Sequence, residues 1–102
     1  MVIYSVYVAT KDKKEAQKVS RHLLEKKLIA CANIFPVDSL YWWKGRIVDS
    51  KEHAILAKTL KKNVKKIREE VKNIHSYEIP CIMDIDAGSD DDFLGWVRKE
   101  VR

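Results

Sequence analysis

Glycine is scarce in this chain, with three residues in 102, at positions 45, 88 and 95. No glycine-rich loop of the kind that wraps phosphates can be built from them, which argues against nucleotide binding. Cysteine is rarer still. Cys31 and Cys81 are the only two, and neither belongs to a CxxC pair or stands at finger spacing from a histidine, so no structural zinc site is expected. Both lie in apolar, strand-like surroundings, where a reduced and buried thiol is the expectation. No apolar run approaches the ~20 residues that span a bilayer. The start, Met1-Val2-Ile3-Tyr4-Ser5, lacks the basic opening and small-residue cleavage site of a secretory signal. A cytoplasmic protein without membrane contact is therefore expected.

What is present is a charged but ordinary globular composition, 46% apolar and 34% charged, with a net charge of +5. That balance permits contact with polyanions without requiring it. An RNA-recognition sheet needs aromatics on its central strands, and His53-Ala54-Ile55-Leu56-Ala57-Lys58 has none. Nucleic acid is not an expected partner. An acylphosphatase-like arginine loop after the first strand is also missing, for that stretch reads Ala9-Thr10-Lys11-Asp12.

One domain is expected over residues 1–102. Val2 to Ala9 is a β-branched and aromatic run suited to a central strand. Asp12 with Glu15 three residues later is a helix start, and Ala16, Val19, Leu23 and Leu24 form its apolar stripe to about Lys27. Leu28 to Phe35 is a second strand that Pro36 interrupts, resumed from Ser39 to Trp43. Lys44-Gly45 marks a tight turn, followed by returning segments to Thr59. Thr59 is placed to cap a second helix with the stripe Leu60, Val64, Ile67, Val71 and Ile74. Ile79 to Ala87 is a last strand, and Phe93, Trp96, Val97 and Val101 are the packing residues of a closing helix. The order is α+β, a ferredoxin-like βαββαβ with a long hairpin between its second and third strands and an added C-terminal helix. Right-handed crossovers put the first and third strands in the middle.

The hairpin is the unusual element. Leu40, Tyr41, Trp42 and Trp43 are four consecutive large residues, so both faces of an edge arm carry apolar bulk. Edge strands of monomers are normally blunted. A neighbouring subunit is the expected cover, since aromatics concentrate at interfaces.

Taken in order, Leu28-Ile29-Ala30-Cys31-Ala32-Asn33-Ile34, Ser39-Leu40-Tyr41-Trp42-Trp43-Lys44-Gly45, Glu52, Lys58-Thr59, His75-Ser76-Tyr77-Glu78-Ile79-Pro80 and Trp96 resemble the CutA family of divalent-cation-tolerance proteins. The resemblance covers nearly the whole chain. It implies a homotrimer of ferredoxin-like subunits with the architecture of PII signalling proteins, and a non-catalytic role in tolerance of divalent metal, chiefly copper. Weak or conditional binding of that metal follows from it, with no obligatory cofactor. Three positions depart from the family pattern: Ser76 where proline is common, Thr10-Lys11-Asp12 without the usual proline, and Cys81 where many relatives carry glutamate.

Within that frame Cys31 and His75 are the candidate metal ligands, a thiolate suiting Cu(I) and an imidazole Cu(II) or zinc. Packing for Cys31 and helix-dipole complementation for His75 are the competing readings. Lys58, Thr59, Tyr77 and Glu78 are the candidates for an inter-subunit cleft, with His75 beside them for an anionic ligand, which would make the protein a PII-like sensor. Asp84 and Asp86 share a strand face, where they suit either a hard cation or solvent.

Overall fold

The computed structural model describes residues 2–102. Seven elements follow one another: β1 (Ile3–Thr10), α1 (Lys13–Glu25), β2 (Cys31–Trp43), β3 (Arg46–Thr59), α2 (Lys61–Ile74), β4 (Ile82–Ala87) and α3 (Asp91–Glu100). The sheet order is β2-β3-β1-β4, antiparallel throughout. The first and third strands are central and the other two form the edges, as the crossover rule requires.

Strand phase decides which side is covered. Val6 and Val8 of β1 and Ile55 and Ala57 of β3 pack with Ala16, Val19 and Leu23 of α1 and Val64, Ile67 and Val71 of α2. Burying each larger side chain of this kind stabilises the fold by about 1.5–3 kcal/mol. Both helices therefore lie on one face. Residues of the opposite phase, Phe35, Met83 and Ile85, remain exposed. The closing helix makes a second cluster, in which Val97 and Val101 pack on Ile3 and Leu60. Its aromatics depart from expectation: Phe93 and Trp96 stack on each other at 5.7 Å and stay largely exposed, while Leu94 faces the cluster instead. Leu24 is likewise exposed at the margin of the α1 stripe.

The hairpin exceeds its sheet. β1 pairs with β3 only from His53 to Thr59, whereas β2 and β3 stay paired out to Trp43 and Arg46. The outer arms thus project as a two-stranded ribbon, and the domain extends 44 Å along its longest axis. Pro36 does not interrupt β2, as the sequence had implied; it pairs in register with His53. On an edge strand a missing N–H need not cost a ladder bond. The turn has Lys44 at φ 51° and Gly45 at φ 77°, the double positive-φ geometry that matches strand twist. Gly45→Ala is expected to lower stability by about 1 kcal/mol through that conformation, read as a shifted denaturation midpoint.

Two further corrections concern polar groups. Thr59 does not cap α2. Its Oγ1 donates to the Leu28 carbonyl at 2.5 Å, and Leu60 takes the N-cap position without a side-chain bond. The last strand starts at Ile82 rather than Ile79, so Cys81 belongs to the preceding loop and is exposed, while Cys31 is half-buried. Asp84 lies on the helix-covered face and pairs with Arg68 of α2, which leaves it no role in an open cation site.

Candidate functional site

Polar chemistry gathers where the α2–β4 loop folds back against β1 and the root of the hairpin. Glu15 organises this region. Asp12 Oδ1 accepts the Glu15 N–H at 2.8 Å, as expected at the start of α1, whereas Glu15 Oε1 accepts the N–H of Lys11 at 3.0 Å, one residue before the N-cap that a capping box would engage. Glu15 Oε2 accepts the Ser76 N–H at 2.8 Å, which ties the loop to the helix. Burial acts to raise the pKa of this carboxyl, but the hydrogen bonds from Ser76 and Lys11 outweigh it and hold the group below its usual value of 4.5.

His75 is fixed from both sides. Its Nε2 donates to the Ala9 carbonyl at 2.7 Å, and its Nδ1 accepts the Tyr77 N–H at 3.0 Å. A carbonyl can only accept, so the ring that satisfies both bonds is the Nε2–H tautomer. Neither nitrogen offers a free lone pair to a metal. Cys31 lies elsewhere: it pairs with Lys58, whereas Ala9 pairs with Ala54, four residues away along β3, or roughly 13 Å at the usual strand rise. The two candidate ligands are not brought together within one chain, and the described residues contain no group of three or more His, Cys, Asp or Glu able to hold an ion.

The expected cleft residues also separate. Lys58 Nζ bonds Asn33 and the Leu56 carbonyl, and Thr59 is spent on Leu28. Tyr77 lies beside the middle of β3, at the root of the hairpin, where its hydroxyl donates to Glu52 Oε2 at 2.6 Å. Glu52 and Lys58 are six residues apart in one strand, roughly 20 Å. An anion held jointly by Lys58 and Tyr77 is therefore not available in a single chain.

What the structure does assemble is a cleft of about 870 Å³ around Glu52 and Tyr77, walled by Tyr7, Tyr41, Trp43 and Cys81 and bordered by Glu78 and the Leu40–Trp42 edge. Glu52 is 6% exposed, an ionisable side chain within a wall of aromatic rings. Burial and then the Glu52 hydrogen bond push the Tyr77 phenol far above its ordinary range. Tyr7 is raised by burial, then by Cys81 and Glu52. Desolvation and the Glu52 carboxylate raise the Cys81 thiol as well, so it stays protonated near neutrality. Tyr7 and the participation of Glu52 went unrecognised in the sequence. The only local signal was that Glu52 shares the strand phase of Ala54 and Leu56, and with Ser50 and Lys58 also in that phase it did not stand out.

These features define a ferredoxin-like domain with a C-terminal helix, one uncovered sheet face, a projecting apolar hairpin and a polar cleft at its root. The profile described as CutA1 divalent ion tolerance protein matches residues 4–100, and the chain belongs to that family. It is 41% identical over 98 residues to the divalent-cation tolerance protein CutA of Archaeoglobus fulgidus, covering 94% of this chain and 95% of the relative. It is 39% identical over 97 residues to the CutA protein of Thermotoga maritima, covering 94% and 96%. The solved A. fulgidus structure, described as a periplasmic divalent cation tolerance protein, superposes with a TM-score of 0.95 over 98% of this chain and 99% of that one, at 39% identity. That of Pyrococcus horikoshii CutA1 gives 0.93 over 97% and 98%, at 34% identity.

Proposed function

We propose that this chain acts as a non-catalytic homotrimer in divalent metal tolerance, and that it holds metal, copper above all, weakly and between copies. The observation that carries the assembly is exposure: Leu40 is 73% and Trp42 71% exposed on a ribbon that no element of the same chain covers. Apolar surface of that size on an edge strand is the material of an interface. Phe35, Met83 and Ile85 add exposed apolar surface of the opposite strand phase, on the open face of the sheet.

The described residues of one chain hold no group of three or more His, Cys, Asp or Glu able to bind an ion, so in this reading the ligands come from more than one copy. Cys31, half-buried on the edge strand β2, supplies the soft ligand, and a neighbouring copy supplies the rest. His75 joins only by surrendering its bond to Ala9 or to Tyr77, which makes its contribution conditional. Calorimetric titration with copper is expected to give weak heats for the unmodified protein that Cys31→Ser reduces. Absence of heat from both proteins would remove direct binding as the mechanism.

A further inference from the structure

The two helices that cover the sheet carry the chain's excess charge. Within α1 and α2 stand ten of its 20 Lys and Arg against four acids, a net of +6 where the whole chain has +5, so the remainder sums to −1. Packing sends these cations outward, since Val19, Leu23, Ile67 and Val71 claim the inner side of the helices. Among the described residues, only Lys66 and Arg68 of the ten form ion pairs. Two of the four acids are also withdrawn: Glu15 turns to Ser76, and Glu70 is engaged by His22 at 2.7 Å and by Lys66. Lys14, Lys18 and Arg21 on α1 and Lys61, Lys62 and Lys65 on α2 thus stand exposed without an acidic partner among the described residues. Glu15, at the start of α1, reaches Ser76 just past α2, while Asn63, at the start of α2, reaches the Leu28 carbonyl beyond α1. The helices therefore run antiparallel, side by side, and present one basic face.

We propose that this outer helical face is a docking surface for double-stranded nucleic acid, held through its phosphates without regard to sequence. Like charges crowded on one face repel one another, and a polyanion that sheds its own counterions relieves this. Helices of 13 and 14 residues are roughly 20 Å long, and a duplex presents on the order of twelve phosphate charges over that length. Neither helix has a Phe, Tyr or Trp on which unpaired bases could stack, which disfavours a single strand. Leu24 is the one large apolar residue exposed on them, too little to enter a bilayer. β3 lacks the aromatics with which an RNA-recognition sheet stacks bases, but phosphate contact from a helix needs none. The face lies opposite the open side of the sheet and off the Leu40–Trp43 ribbon, so copies that meet through those surfaces leave it in water. The proposal is independent of the metal reading and requires no second copy.

Fluorescence anisotropy of a labelled DNA duplex of about 20 base pairs, titrated with the protein in buffer free of divalent metal, tests it. Binding is expected in the micromolar range at about 50 mM salt and at least about tenfold weaker at about 200 mM. Lys18→Gln combined with Lys65→Gln is expected to weaken binding at least about fivefold. The same pair should reduce the slope of log affinity against log salt by about two. Lys51→Gln combined with Lys99→Gln removes equal charge from the hairpin and from α3, and should leave the affinity within about twofold. All four lysines are exposed, so both variants are expected to keep their fold, which circular dichroism reads. Absence of duplex binding, or equal weakening by the two pairs, would overturn the proposal. So would tighter binding, at equal phosphate concentration, of the single strand, of vesicles containing phosphatidylserine or of inorganic polyphosphate, each of which assigns the face to a different partner. Both variants retain Cys31, so copper calorimetry reads metal binding separately.

Discussion

Replacing Leu40 and Trp42 together by glutamate is expected to convert the proposed trimer into monomers that remain folded. Both side chains sit on the projecting ribbon with almost three quarters of their surface exposed in one chain, so neither supports the core. The buried clusters involve β1, β3 and the helices, and contain no residue of the outer hairpin. Truncating a central interface tryptophan commonly costs 2 kcal/mol or more, and burying a carboxylate in its place adds desolvation. The dissociation constant should rise by at least about a hundredfold. Sedimentation velocity reads the mass, and far-ultraviolet circular dichroism reads the retained fold. Leu24→Glu is the control, because Leu24 is also exposed and apolar but lies on α1, outside the ribbon; its mass should match the unmodified protein. Dissociation by both variants, or by neither, would mean that the ribbon is not the interface.

The second large effect is expected at Glu15. Its carboxylate joins the start of α1 to the loop before β4 through the Lys11 and Ser76 N–H groups. Hydrogen bonds to charged groups contribute about 1.5–3 kcal/mol each, and a donor left unpaired in a partly buried place adds its desolvation. Glu15→Ala is therefore expected to destabilise the fold by about 2–4 kcal/mol, a fall in melting temperature on the order of 10–20 °C for a domain this size. Chain concentration must be held constant, since the proposed assembly would add to apparent stability. The pH dependence has a defined sign. The folded-state pKa of Glu15 lies below the ordinary 4.5, so its contribution is present above that value and disappears as pH falls through the folded pKa. Stability of the unmodified protein should drop in this acid window, and Glu15→Gln should flatten the drop. Identical acid profiles for the two would contradict the role assigned to the carboxylate.

The two helices that cover the sheet were legible in the sequence because burial against it enforces a period. Ala16, Val19 and Leu23, and again Val64, Ile67 and Val71, had to recur at helical spacing to reach one core. The Asp12 cap was legible for a similar reason, being a local pattern with a local partner. What could not be read depended on which distant groups meet. The Thr59 hydroxyl could accept an N–H of α2 as a cap or donate to a distant carbonyl, and the approach of Leu28 decided for the tertiary bond. His75 had a plausible helix-end role, yet its ring turned to Ala9, 66 residues away in the chain. Tyr77 reaches Glu52 only because the α2–β4 loop folds back over β3, and no spacing rule encodes that return. Cys81 appeared buried because its neighbours are apolar; in fact it lies one residue before an edge strand. The candidate site is thus composed largely of residues whose meaning depends on the fold.

The account turns on the ribbon of Leu40 to Trp43 being covered by other copies of the chain, and sedimentation equilibrium of the unmodified, metal-free protein tests this most directly. The predicted result is a single species with the mass of three chains across the micromolar range. A monomer throughout that range would contradict it, for the apolar ribbon would then be stable in water with nothing upon it.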